Sequence, residues 1–261
     1  MLFQFAQNAE KLEYPDKKLV ADILKGFNTW RYKRSQPSDI ALLQEFIGQA
    51  VAFGHPISFV LYWGKGLRAQ SGANERACLN YLSEMGSRIS EVYGPGAQFD
   101  ILYTDTHAML NGHRPADIEE YRKCLVADCG DDFRVWRLSE VVTASKVTDR
   151  DVGDVQPFGV EEMVSRLVGC AEKWYLGHGR AIDGATRYFW MNMVERIAVE
   201  RTFPSSVFVT FNGAEMRPLF PEGLPVFYMY SVKKGTSIKP WFMDEPEGTL
   251  AQSGIAQAVS A

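Results

Sequence analysis

Apolar residues follow two alternating rhythms along the chain. Leu19, Val20, Ile23, Leu24 and Phe27 recur at helical spacing and predict a helix over 16–27. Ser38, just after Pro37, is placed to cap a second helix. That helix has Ile40, Leu43, Phe46, Ile47, Ala50 and Val51 on its apolar face and ends near Gly54. Residues 57–63 are almost continuously apolar, as in a strand covered on both faces. A helix is expected over 77–93, stopped by Gly94-Pro95-Gly96. A strand over 98–104, a helix from Pro115 to near Val126 and a strand over 133–138 follow.

Helix and strand therefore alternate three times, the signature of a parallel doubly wound sheet. Two long helices are expected over 160–175 and 181–201, then strands over 207–211 and 226–230. Asn212-Gly213 and Glu222-Gly223 read as turns, so this end is expected to extend the sheet in antiparallel fashion. The fold class is thus α/β: a Rossmann-like, mostly parallel central sheet flanked by helices, with a helical and antiparallel C-terminal part. Residues 1–246 are expected to form a single domain. Residues 1–15 look irregular, 147–158 look like a linker or long loop, and 247–261 look like a flexible tail.

The chain has 261 residues, ample for a sizeable core. Its net charge of -4 gives no support to nucleic-acid binding, so an anionic small molecule must be held by local cations. Cys78, Cys124, Cys129 and Cys170 form no CxxC pair and read as reduced core thiols, which fits the cytoplasm. No signal peptide opens the sequence, and no apolar run nears membrane-spanning length.

The richest stretch for chemistry runs from Ile101 to His113. It opens as a strand and closes on Thr104, Asp105, Thr106, His107, Asn111 and His113. Ligands of open α/β sheets bind just beyond the carboxyl ends of strands. The stretch is either a ligand-facing site or a polar loop that caps the next helix. In an extended chain Asp105 and His107 would point to one side, so the carboxylate could orient the imidazole for proton transfer. Iron binding by Asp105, His107 and His178 is the metal alternative. However, Asp-x-His reverses the usual order, so no metal is expected.

Gly64-Lys65-Gly66-Leu67-Arg68 ends the first strand. Its glycines permit close backbone approach, and Lys65 and Arg68 offer charge to a phosphate or carboxylate. It matches neither GxxxxGK[ST] nor GxGxxG, so no nucleotide cofactor is expected. Trp30, Tyr62, Trp63, Trp174, Tyr175, Tyr188, Phe189 and Trp190 are expected mostly in the core, with several lining a pocket.

Three pieces of the chain resemble the isonitrile (isocyanide) synthase family, the pyoverdine/dityrosine biosynthesis proteins. The first comprises Ile23-Leu-Lys-Gly-Phe, Gln44-Glu-Phe-Ile and Gly54-His-Pro-Ile-Ser-Phe-Val-Leu. The second comprises Leu79-Asn-Tyr-Leu and the run from Ile89 to the Tyr93-Gly-Pro-Gly-Ala97 turn. The third is Tyr103-Thr-Asp-Thr-His107 followed by Ile118-Glu-Glu-Tyr-Arg122. The resemblance spans residues 20–140. Of the family's Lys-Ser-Pro-Asn-like loop only Lys65 transfers, and of its Asp-Gly pair only Asp105 transfers.

The resemblance implies a Rossmann-like fold without a nucleotide and a biosynthetic enzyme of amino-acid-derived specialised metabolism. The implied reaction joins the amine of an aromatic amino acid to the carbonyl of ribulose 5-phosphate, and the sugar gives up one carbon as the isonitrile. Asp105 and His107 would be the acid/base groups. Lys65, Gly66 and Arg68 would receive the sugar phosphate, Arg31 the amino-acid carboxylate, and Thr104, Asn111 and His113 would complete the substrate site. The partners are then small molecules, an amino acid and a sugar phosphate, with neither nucleic acid nor membrane, and a homodimer is allowed. A noncatalytic small-molecule-binding protein on the same fold and a metal-dependent oxygenase are the rivals.

Overall fold

A computed structural model describes residues 16–153, 159–230 and 238–243. The irregular start expected over 1–15 and the tail expected over 247–261 lie outside the described residues, as does 154–158 of the expected linker. Two helices, α1 (Lys17–Phe27) and α2 (Ile40–Phe53), precede the first strand, β1 (Ile57–Trp63). Then come α3 (Ala73–Ser90), β2 (Ala97–Tyr103), α4 (Asp105–Leu110), α5 (Pro115–Cys129) and β3 (Phe133–Arg137). The second half holds α6 (Leu138–Ser145), α7 (Asp149–Gly153), α8 (Val160–Trp174), α9 (Ala181–Thr202), β4 (Val207–Thr210) and β5 (Val226–Tyr228). Short 3-10 turns lie at Ala214–Leu219 and Pro240–Phe242.

Among the described residues the strands form one all-parallel sheet in the order β3-β2-β1-β4-β5. The strands expected over 57–63, 98–104 and 133–138 lie side by side as β1, β2 and β3. The unbroken apolar runs follow from two covered faces. Phe59, Leu61 and Trp63 of β1 enter one core with α1, α2, α3 and α5. Val60 of the same strand faces a second core built largely from α6, α8 and α9. Burying each such side chain is worth about 1.5–3 kcal/mol, so a one-residue slip of β1 would disrupt both cores at once. On the second face, buried Asp100 of β2 is met by Arg134 (2.9 Å) and Trp136 Nε1 (2.7 Å) of β3.

The expected antiparallel C-terminal part is corrected. β4 pairs parallel with β1, and β5 parallel with β4. Asn212-Gly213 is not a hairpin turn but leads into the 3-10 turn at Ala214–Leu219, and the chain crosses back before β5. A connection of that length suits a parallel crossover, whereas a hairpin needs only two residues. An isolated antiparallel bridge joins Lys33 to Met229. The cap of α2 is Asp39, which accepts from Leu42 N at 2.9 Å. Ser38 instead accepts from Val226 N at 2.9 Å and fastens the edge of β5. Helices α4, α6 and α7 were not expected from the periodicity. Cys78 and Cys129 are core thiols as expected, but Cys124 is partly exposed and Cys170 exposed.

The loop after β1 is packed and not open. Trp241 lies against it, with its ring 5.5 Å from that of Trp63. A Cβ on Gly64 would fall 2.6 Å from the Trp241 ring, and one on Gly66 would fall on the Trp241 carbonyl oxygen. What these glycines admit is the chain's own 240–242 turn. Gly66→Ala should displace that turn and cost about 1–3 kcal/mol, lowering Tm by about 2–10 °C. A thermal melt identical to wild type would contradict this packing role.

Candidate functional site

The strand order reverses direction between β1 and β4, and a cavity of about 300 Å3 opens beyond the carboxyl ends there. Gly64 and Lys65 line it from the end of β1, Thr104 from β2, and Thr210, Phe211 and Asn212 from β4. The two strand ends are stitched together, because Thr104 N donates to the Trp63 carbonyl at 2.9 Å. His107, Ala108 and Asn111 of the α4 region form one wall, while Tyr188 and Asn192 of α9 and Trp174 of α8 form others.

Helix α4 begins immediately after β2, and this decides where the polar cluster points. In a helix, side chains two apart diverge by about 200° and do not share a side. Asp105 therefore turns away from His107. It accepts from Ser139 N (3.0 Å), Ser139 Oγ and Thr106 N (3.1 Å), and so joins the start of α6 to the start of α4. Asp105 as the orienting partner of His107 is thus corrected: the chain is helical where extension was assumed. The carboxylate that meets His107 belongs to Glu195 of α9. His107 Nε2 lies 2.7 Å from Glu195 Oε2, and Thr106 Oγ1 donates to Oε1 at 2.6 Å. Glu195 is 1% exposed, which makes its two partners obligatory. Tyr188 and Tyr62 meet the imidazole edge to face, at 4.8 and 5.8 Å between centroids. The Tyr62 hydroxyl is buried with no hydrogen-bond partner among the described residues, and burial, then the nearby Glu195, raises its pKa well above the ordinary phenol range.

Lys65 is buried, with Nζ 3.1 Å from the Gly66 carbonyl and 3.5 Å from His113 Nδ1. Burial lowers the pKa of this lysine, opposed by attraction to Asp117. Burial, then the Lys65 ammonium, lowers that of His113, so the neutral ring can offer Nδ1 as an acceptor. Lys65, Thr104, His107 and Asn111 thus share the cavity, and His113 stands behind Lys65. Arg68 does not join them. Its Nη2 donates to both oxygens of Glu75 (2.8 and 2.9 Å), a fully buried carboxylate that also accepts from Gly72 N and the Tyr121 hydroxyl. Arg31 is half exposed and pairs with Glu84 at 2.6 Å, between the loop after α1 and α3. Each arginine neutralises a local carboxylate, which explains its place without a ligand.

His178 is exposed in the α8–α9 connection, and among the described residues no three His, Cys, Asp or Glu side chains converge as a metal site would need. No described helix is long and apolar enough to cross a membrane. The expectation for the aromatics divides. Tyr62, Trp174, Tyr175 and Tyr188 line the cavity and Trp63 and Phe189 are core, but Trp30 and Trp190 are exposed. The residues that the sequence did not single out are Glu195, Asn192 and Lys239. Their clearest signal lies on α9, where Ala185, Tyr188, Asn192 and Glu195 recur at helical spacing and put polar groups on a buried face.

No family model matches the chain, and no curated protein matches it. Among solved structures it is similar to the PvcA protein from Pseudomonas aeruginosa, with TM-score 0.62 and 16% identity, over 85% of this chain and 87% of that one. The likeness shows a shared fold. Tyrosyl-tRNA synthetases from Leishmania major (TM-score 0.47, 10% identity, 82% of this chain and 31% of that one) and Pyrococcus horikoshii (0.42, 12%, 78% and 52%) are similar more loosely.

Two measurements check this geometry. Asp105→Ala leaves the Ser139 amide without its acceptor and should destabilise the fold by about 1–3 kcal/mol. An unchanged denaturation midpoint would contradict the α4–α6 tie. The depressed pKa of His113 means that, below about pH 6.5, the unfolded chain takes up this proton before the folded one does. Stability should therefore fall as pH drops through that value, and His113→Asn should flatten the dependence. Identical pH profiles for the two proteins would sink the assignment.

Proposed function

We propose that this chain is a biosynthetic enzyme of the isonitrile synthase kind, a distant relative of that family that joins the amine of an amino acid to the carbonyl of ribulose 5-phosphate. The observation that carries the reading is the meeting of Lys65, Thr104, Asn111 and the His107–Glu195 pair at one cavity. It lies beyond the strand ends of a fold shared with PvcA, itself a protein of the pyoverdine/isonitrile synthase family.

The chemistry demands what these residues offer. A sugar phosphate needs a cation, and Lys65 stands at the strand end with no carboxylate hydrogen-bonded to it among the described residues. Imine formation takes a proton from the attacking amine and gives one to the departing hydroxyl, and carbon–carbon cleavage moves another. An imidazole donating through Nε2 to Glu195 keeps its other nitrogen free to take a proton, and the carboxylate stabilises the imidazolium that results. Asn111 and Thr104 add neutral hydrogen-bonding groups to the same wall. The aromatic walls exclude water, which would otherwise hydrolyse an imine.

A mass-spectrometric screen of amino acids with and without ribulose 5-phosphate tests the reading. A product derived from one amino acid, formed only with the sugar phosphate, is expected. His107→Ala should slow it about 100- to 10,000-fold in protein still folded at the assay temperature, with Tm lowered because buried Glu195 loses one of its two donors. Binding of the sugar phosphate without turnover of any amino acid would favour a noncatalytic binder. Stoichiometric iron in the purified protein would favour an oxygenase.

A further inference from the structure

We infer that Lys239 holds the carboxylate of the amino-acid substrate, while Lys65 holds the phosphate of the sugar elsewhere in the same cavity. The inference rests on the reading that the site takes these two substrates. Its starting point is the charge of the cavity wall. Among the described residues, those that line it include Lys65, Lys173 and Lys239 and not one Asp or Glu. Glu195 lies behind His107 and is taken up by its two donors. Lys173 lies against the face of Trp174 and is exposed, so it belongs to the rim. Two partly or fully buried ammonium groups remain, and a cation removed from water requires an anion.

Among the described residues the surroundings of Lys239 contain none. It caps the 3-10 turn at Pro240–Phe242, which is pinned on both sides. Trp241 packs on Gly64 and Gly66, and Phe242 stacks on Trp174 at 4.2 Å with an interplanar angle of 11°. Among the described residues, the charged or titratable groups near enough to act on Lys239 are Cys170 of α8 and Arg34 of the loop after α1. Arg34 is engaged by the Phe211 carbonyl and Glu215. Burial disfavours the charge on Lys239, and among the described residues no carboxylate offsets it.

The two lysines have different neighbours. Lys65 is faced by His113 and the Tyr121 ring on the α5 side, and Lys239 by Cys170 and Arg34 on the side of α8 and β4. A ligand set with two separate anionic groups fits this division, and an amino acid plus a sugar phosphate is such a set. Arg31, the cation that the sequence offered to the carboxylate, is committed to Glu84 on the outer surface. Lys239 fills that role from inside the cavity.

The test is calorimetric and needs no turnover. Its probes are L-tyrosine against tyramine and L-tryptophan against tryptamine, pairs that differ only in the carboxylate, together with ribulose 5-phosphate alone. Wild type should bind an amino acid more tightly than its amine. Lys239→Met should weaken the amino acid about 10- to 100-fold and leave the amine and ribulose 5-phosphate unchanged, whereas Lys65→Met should weaken only the sugar phosphate. Lys239→Arg should retain amino-acid affinity and guards against a folding artefact. If wild type prefers the amino acids but Lys239→Met binds them equally well, Lys239 is not the carboxylate ligand and the functional reading stands. If Lys239→Met loses ribulose 5-phosphate instead, the assignment of the two lysines is overturned. If wild type shows no preference for either carboxylate-bearing probe, the amino-acid site fails and this inference with it.

Discussion

The buried carboxylate of Glu195 is the constraint on which the site depends. A carboxylate 1% exposed must be met by donors, and it has two: Thr106 Oγ1 and His107 Nε2. Charge-assisted bonds of this kind are about twice as strong as neutral ones. They fasten the long helix α9 to the short helix α4 at the end of β2. A helix of six residues has no stability of its own in water. α4 therefore exists because Asp105 holds Ser139 at its start and Glu195 holds its first turn. The orientation of the imidazole is a by-product of folding, fixed before any ligand arrives.

The sheet decides where that imidazole is. Parallel strands deliver all their carboxyl ends to one edge, and the reversal of order between β1 and β4 leaves a crevice there. The strand ends at Trp63, Tyr103 and Thr210 thus pass their next residues to a common volume. The turn at Pro240–Phe242 roofs part of it, seated on two glycines that a side chain at either position would displace. Cations come from the end of β1 and from the roof, the hydrogen-bonded His107–Glu195 pair from α4 and α9, and aromatic walls from α8 and α9.

The legible parts of the sequence were those set by local periodicity. The strands at 57–63 and near 98–104 announced themselves because both faces are buried, and Lys65 and His107 because they follow strands. Three things were not legible, each for a physical reason. The direction of β4 and β5 depends on a crossover whose Asn-Gly and Glu-Gly pairs look like hairpin turns in isolation. The partner of His107 lies 88 residues away on α9, and helical spacing shows that Glu195 is on a buried face without showing what it faces. The loss of Arg31 and Arg68 to Glu84 and Glu75 is a matter of which carboxylate lies nearest in space, which no spacing along the chain reports.

The central claim is that Glu195 sets His107 for proton transfer in this cavity, and Glu195→Gln tests it most directly. The amide keeps the size of the side chain but removes the charge that stabilises an imidazolium. With amino acid and ribulose 5-phosphate supplied together, the variant should bind both as wild type does while kcat falls about 100- to 10,000-fold. A folded Glu195→Gln protein with wild-type kcat would contradict the account.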